Sequence, residues 1–257
     1  MNINLFIFAS IKQLIMSSVF RIRPCNKYTI DEIENHYLWF SRRTGFNDPE
    51  DANIGAYLDN NKVLLNAFNR LFTSEEIKVF REKMDCTGIC CFTDRNPSDG
   101  DKEHYPGGKR CICIEYDREL LESYFLNSHY AIANCFNVVH YFDSPIIFEQ
   151  DGEYHILTKK DEDGCLYESV KELTRTEKNM DRLIKLLLTR INSKYHFQEE
   201  LRIILGGRNI PTFDNSVSGY QVPIPKNAIK MIHLYKDTNK KFKDSLFKKG
   251  FQTLCSV

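Results

Sequence analysis

His196-Phe-Gln-Glu-Glu-Leu-Arg-Ile-Ile-Leu205 separates cleanly when it is read with a period of two. Phe197, Leu201, Ile203 and Leu205 point one way and form a core face, interrupted only by Glu199. His196, Gln198, Glu200 and Arg202 point the other way. An amide, a carboxylate and a guanidinium, each one pleat apart at roughly 6–7 Å, make a polar stripe on an otherwise apolar strand. Burying such groups costs several kcal/mol unless each finds a partner. Two explanations compete. The stripe is the solvent-facing side of an antiparallel edge sheet, or it lines a ligand cleft in which Glu200 meets developing positive charge.

Working outward from this strand, the pattern predicts a long amphipathic helix over about 166–194, with Leu183, Ile184, Leu187, Leu188 and Ile191 as its core face. Val19-Phe-Arg-Ile-Arg23 alternates, with Phe20 and Ile22 on one face and Arg21 and Arg23 on the other, and Pro24 ends it. Thr29 and Glu32 read as a capping box for a short helix, and Thr73 and Glu76 as a second one. Strands are expected at 37–41, 87–93, 110–116 and 138–141, with two more within 221–235. Helices are expected at 60–72, 117–126 and, basic and amphipathic, 238–254. Strands and helices mix without a βαβ rhythm, which predicts an α+β fold. The expected organisation is a single α+β domain over 19–257 after an N-terminal extension, 1–18, that is apolar but too short and interrupted to span a membrane.

Bulk properties narrow the function classes. The chain has 257 residues with 35 Lys+Arg and 35 Asp+Glu, so no global field draws it onto nucleic acid or anionic lipid. The Lys-rich run from Lys236 to Lys249 is the one local basic patch long enough to touch a polyanion. Nine cysteines, several inside apolar runs, fit a reducing cytoplasm better than a disulfide framework. No C-x-x-C pair marks a zinc site, and no metal is expected. Neither a P-loop nor G-x-G-x-x-G is present, so kinase, GTPase and Rossmann readings lack their phosphate cradle.

Taken in order, Arg23-Pro24, Tyr28-Thr-Ile30, Leu38-Trp-Phe-Ser41, Phe46-Asn-Asp-Pro49, Cys91-Phe-Thr93, His104-Tyr105, Cys113-Ile-Glu-Tyr-Asp117, Val138-Val-His-Tyr141 and Gln198-Glu-Glu-Leu-Arg202 form a recognisable series. It resembles a widespread, mostly bacterial family of domains of unknown function over about 19–235. Phe46–Pro49 and Glu200–Arg202 are its most specific pieces, with Asn47 and Asp48 expected to fix a turn. Departures from the family pattern fall at Lys102-Glu103, Pro106, Tyr195 and Leu201, and Gln198 stands where the family often has Glu.

The family's layout in turn resembles the ADP-ribosyltransferase fold, a split β-sandwich that binds NAD in a cleft. That resemblance implies NAD as the consumed cofactor and Glu200 and Gln198 as the catalytic pair. Glu200 would stabilise an oxocarbenium-like species, and Gln198 would orient the acceptor. It implies Arg21 or Arg23 on the pyrophosphate, Thr93 at the ribose with Tyr105 as an alternate, and His104 beside them. The implied partners are a macromolecular acceptor, protein or nucleic acid, and a neutralising antitoxin if the role is that of a toxin or phage-defence effector. Membrane attachment is not expected.

Two other readings stand beside it. One keeps the fold and uses the cleft to sense a nucleotide or nucleic acid without turnover. The other is a hydrolase or nuclease working through Asp48, Glu115, Glu200 and His104.

Overall fold

Among the described residues, alternating side chains on nine strands build the main sheet, in which neighbouring strands run antiparallel except for one parallel edge pair. The computed structural model describes residues 18–42, 62–98, 105, 110–127, 135–142, 147–161, 164–206, 218–251 and 253–255. The Phe46–Pro49 turn, Asp48 and His104 lie outside the described residues.

The centre of the sheet is β3 (Gly88–Thr93), flanked by β1 (Ser18–Pro24), β2 (Tyr37–Arg42) and β11 (Glu200–Leu205). A strand has only two hydrogen-bonding edges, and β11 pairs with all six residues of β3 on one of them. On the other edge β2 pairs at the start of β3 (Ser41↔Ile89) and β1 at its end (Phe20↔Thr93). The sheet therefore divides at β3. Beyond β2 lies β12 (Gly219–Pro223), and beyond β1 lie β4 (Cys111–Asp117), β13 (Ile229–Leu234) and β14 (Thr253–Cys255). A short β5 (Asn137–Val138) pairs with the outer edge of β11.

Both faces of the sheet are covered, so its strands read as apolar runs. On the first face Val19, Leu38, Phe40, Cys90, Phe92, Ile112, Ile114, Tyr116, Leu201, Ile203 and Leu205 meet three helices. These are α1 (Lys27–Glu34), α4 (Arg118–Asn127) and α6 (Lys240–Lys248), contributing Ile33, Leu121, Phe125, Phe242 and Leu246. On the second face Ile89, Cys91 and Ile204 meet α2 (Lys62–Leu71), α3 (Ser74–Asp85), α5 (Glu177–Leu188) and a meander of β7 (Ile147–Gln150), β8 (Glu153–Asp161) and β9 (Gly164–Ser169). A small group of Phe20, Cys111, Cys113 and Tyr235 continues that second face. A parallel pair, β6 (His140–Phe142) with β10 (Arg190–Asn192), completes the strands among the described residues.

The α+β expectation holds, and several element boundaries move. The capping box at Thr73 and Glu76 forms with both of its hydrogen bonds. The one expected at Thr29 and Glu32 does not. The cap there is Asn26, whose side chain accepts from Thr29 N at 3.0 Å, while Glu32 is drawn to two arginines. The helix expected over 166–194 is only Glu177–Leu188, capped by Thr176, because 164–169 form β9 and 190–192 form β10. The strand expected from His196 begins at Glu200, since 193–198 form a 3₁₀ helix. Among the described residues no helix is long and apolar enough to cross a membrane.

Candidate functional site

The entry to β11 is set by Glu199, which adopts φ +44° between the 3₁₀ helix and the strand. This left-handed conformation is unfavourable for a residue with a Cβ and needs support. Arg95 supplies it, through an ion pair to the Glu199 carboxylate and a hydrogen bond from Nη2 to the Phe197 carbonyl at 3.0 Å. The Tyr105 hydroxyl donates to the Gln198 carbonyl at 3.4 Å, and the Glu200 amide donates to the Tyr141 hydroxyl at 2.9 Å.

Past that turn the side chain of Glu200 is buried and forked by its strand neighbour Arg202. Arg202 Nε and Nη2 donate to the two carboxylate oxygens at 2.8 and 3.0 Å. The third contact of this guanidinium, Nη1 to the Leu188 carbonyl at 2.7 Å, places positive charge at the C-terminus of α5, where the helix dipole favours it. Arg202 is fully buried, so the fork and the helix end together compensate its charge. A carboxylate offers about four lone-pair positions, of which the fork uses two, so Glu200 retains acceptor capacity.

Strand register decides which predicted residues share this site. Glu200 lies directly opposite Thr93 on β3, Thr93 opposite Phe20 on β1, and Phe20 opposite Glu115 on β4. Cross-strand partners point to the same face. The second face therefore carries Glu200, Arg202, Thr93, Phe20 and Glu115 along one region.

Arg21 and Arg23 alternate with Phe20 and Ile22 and so lie on the first face, away from Glu200. This overturns the expectation that one of them reaches the Glu200 cleft. Instead both pair with Glu32 of α1, Arg23 at 2.8 Å. Arg21 Nη2 also donates to the Trp39 carbonyl at 2.9 Å, across the place where β1 and β2 part. Burial works against the Arg21 charge, yet neighbouring groups, Cys90 and Glu32 foremost, hold its pKa above the ordinary value. Burial and then the neighbouring Arg21 charge lower that of Arg23.

Gln198 is also displaced. It belongs to the 3₁₀ helix and does not stand one pleat from Glu200 on a shared strand. Tyr105 reaches the site through the Gln198 backbone, and its ring meets Phe197 edge-on at 6.5 Å.

Sequence reasoning missed Tyr141, Arg95 and His233. Tyr141 lies on the Glu200 amide, and burial, more than its other surroundings, pushes its phenol pKa up. His233 stands on the second face and approaches Glu115, with Nε2 2.9 Å from Oε2. The other Glu115 oxygen accepts from Ser18 Oγ at 2.7 Å, and Lys230 Nζ donates to that same hydroxyl oxygen at 2.8 Å. Burial opposes the Glu115 charge, but the hydrogen bonds from Ser18 and His233 and the nearby Lys230 outweigh it and lower the carboxyl pKa. The alternation of Met231 and His233 with Ile232 and Leu234 was a readable signal for His233. Nothing in the sequence marked Arg95.

Glu200 and Glu115 are three strand spacings apart, roughly 14 Å. That exceeds the separation at which two carboxylates flank one glycosidic bond. Two polar centres therefore share the face. Comparison of the chain with known protein families, curated proteins and solved structures finds no match.

Proposed function

We propose that the Glu200 end of the sheet binds NAD and that the chain is an ADP-ribosyltransferase-like enzyme, transferring ADP-ribose to a protein or nucleic acid. The observation that carries this reading is the direct cross-strand pairing of two buried residues, Glu200 and Thr93, on central strands. A carboxylate with unused lone pairs beside a hydroxyl suits a ribose diol and the positive charge that grows as the nicotinamide bond breaks. Arg202 holds the carboxylate in one orientation and Tyr141 fixes the strand entry. Arg21 and Arg23 take no part in this proposal, and Gln198 enters it only through its place beside the turn. A role as a toxin or defence effector, with an antitoxin partner, rests on the family resemblance alone.

A second reading, NAD or nucleotide binding without turnover, is favoured by one feature. The Arg202 fork offsets much of the Glu200 charge that catalysis would use. Nicotinamide release from labelled NAD separates the two, with cell lysate as the acceptor source and calorimetric NAD binding measured alongside. Turnover that falls by ~10²-fold or more in Glu200→Gln, with binding kept, supports the enzyme. Thr93→Val, which keeps shape and loses the hydroxyl, should weaken binding as well as turnover. Binding without release in the wild type selects the second reading, and no binding at all ends both.

A further inference from the structure

The cluster around Glu115 is separate from the Glu200 site and has its own chemistry. β13 carries a bulge between Ile229 and Met231, which leaves Lys230 as the extra residue opposite the step from Tyr116 to Glu115. The bulge brings its ammonium to Ser18 Oγ at 2.8 Å and Glu115 Oε1 at 3.7 Å. His233 presents Nε2 to Glu115 at 2.9 Å. Its Nδ1 meets the exposed Asn96 amide nitrogen, a donor, at 3.4 Å. The proton of a neutral imidazole in this arrangement sits on Nε2, and Nδ1 is the basic nitrogen. The Phe20 ring lies 6.0 Å from the imidazole and forms the floor beside it. Side-chain exposure is 12% for His233, 19% for Glu115 and 35% for Lys230, so the group is recessed yet reachable.

We infer that Glu115 and His233 form a general-base pair for hydrolysis of a phosphoric ester, with Lys230 binding the phosphate. A clasp between strands would need only Glu115 and one cation. Here a carboxylate orients the imidazole, and the basic nitrogen is turned outward against a single long contact that water can replace. Lys230 has three N–H donors, of which one goes to Ser18 at 2.8 Å, while Glu115 at 3.7 Å is an ion-pair neighbour beyond hydrogen-bond reach, so donors remain for a non-bridging phosphate oxygen. In the step, an O–H bond of water breaks and its proton passes to Nδ1. The water oxygen bonds to phosphorus, and the bond from phosphorus to the leaving oxygen breaks. The imidazolium, stabilised by the ionised Glu115, passes its proton to solvent, and solvent water protonates the leaving oxygen on the far side of phosphorus.

The test uses the full chain with bis(p-nitrophenyl) phosphate as probe, together with nitrogen-15 NMR of the His233 ring. The expected tautomer carries the proton on Nε2. His233→Gln retains an N–H for Glu115 and should lower the rate by ~10²-fold or more. Glu115→Gln removes the charge that stabilises the imidazolium and should also lower the rate, and Lys230→Gln should raise KM more than it lowers kcat. Absence of hydrolysis above buffer, an unchanged rate in His233→Gln, or a wild-type ring protonated on Nδ1 would each overturn the inference. The NMR result stands even if a variant fails to fold.

Discussion

At the scale of single residues, the buried ion pairs carry the strongest demands. Arg202 is fully buried and all three of its terminal nitrogens are engaged, so removing it leaves the Glu200 carboxylate in the interior without its counter-charge. Arg202→Met should lower the unfolding free energy by about 3–5 kcal/mol in urea titrations. Adding Glu200→Gln to that variant should restore part of the loss, because the orphaned charge goes with it. A single-variant cost below 1 kcal/mol would mean the fork contributes little. Cys90 gives a chemical check at the same scale. Burial, ahead of every other influence, pushes its thiol up to about 12, so almost no thiolate exists at neutral pH. Iodoacetamide should modify Cys90 only in denatured protein, as peptide mapping would reveal.

At the scale of elements, β12 depends on one residue without a side chain. A Cβ on Gly219 would stand 2.4 Å from the Phe40 carbonyl oxygen and 2.7 Å from the Trp39 ring. Gly219→Ala should therefore cost about 1–3 kcal/mol, as overpacked core positions do, and a thermal melt equal to wild type would contradict the close approach. The elements also show what the sequence could express. The Thr73 capping box and the Leu183–Leu188 periodicity are local signals, and both were legible. Termination of the α5 helix was less so. Its start needs the Thr176 cap, and residues 164–169 before it form β9, whose pairing with β8 no local pattern encodes. The alternation of β1 revealed its two faces correctly. It could not reveal that the face with the arginines is closed by α1, since that depends on Glu32 arriving from a helix. The shift of Gln198 off the strand follows from a left-handed Glu199 secured by Arg95, a contact between residues 104 positions apart in sequence.

At the scale of the whole molecule, acid stability reports on the second polar centre. The Glu115 carboxyl has a folded pKa below its ordinary 4.5, so the unfolded chain binds this proton more readily. Its stabilising contribution is complete well above 4.5 and is lost as pH falls from there through the folded value. Glu115→Gln should flatten that part of the stability curve, which denaturation at a series of pH values would measure. An unaltered acid limb would show that Ser18, His233 and Lys230 do not hold the charge. Both faces of the sheet being covered has a further effect on this scale. Among the described residues, Thr93, Glu200, Glu115 and His233 share the second face, beside the apolar side chains that cover the rest of it.

The division of labour across β1 has a consequence for how such a chain can change over time. Arg21 fills the gap between β1 and β2 while Phe20, its neighbour in sequence, floors the opposite side. A substitution alters one of these functions at a time. A single-residue deletion or insertion within β1 exchanges them, sending guanidiniums to the Glu115 side and aromatic bulk against Glu32. A change of length within the seven residues of β1 should therefore cost more than most substitutions of the side chains it carries.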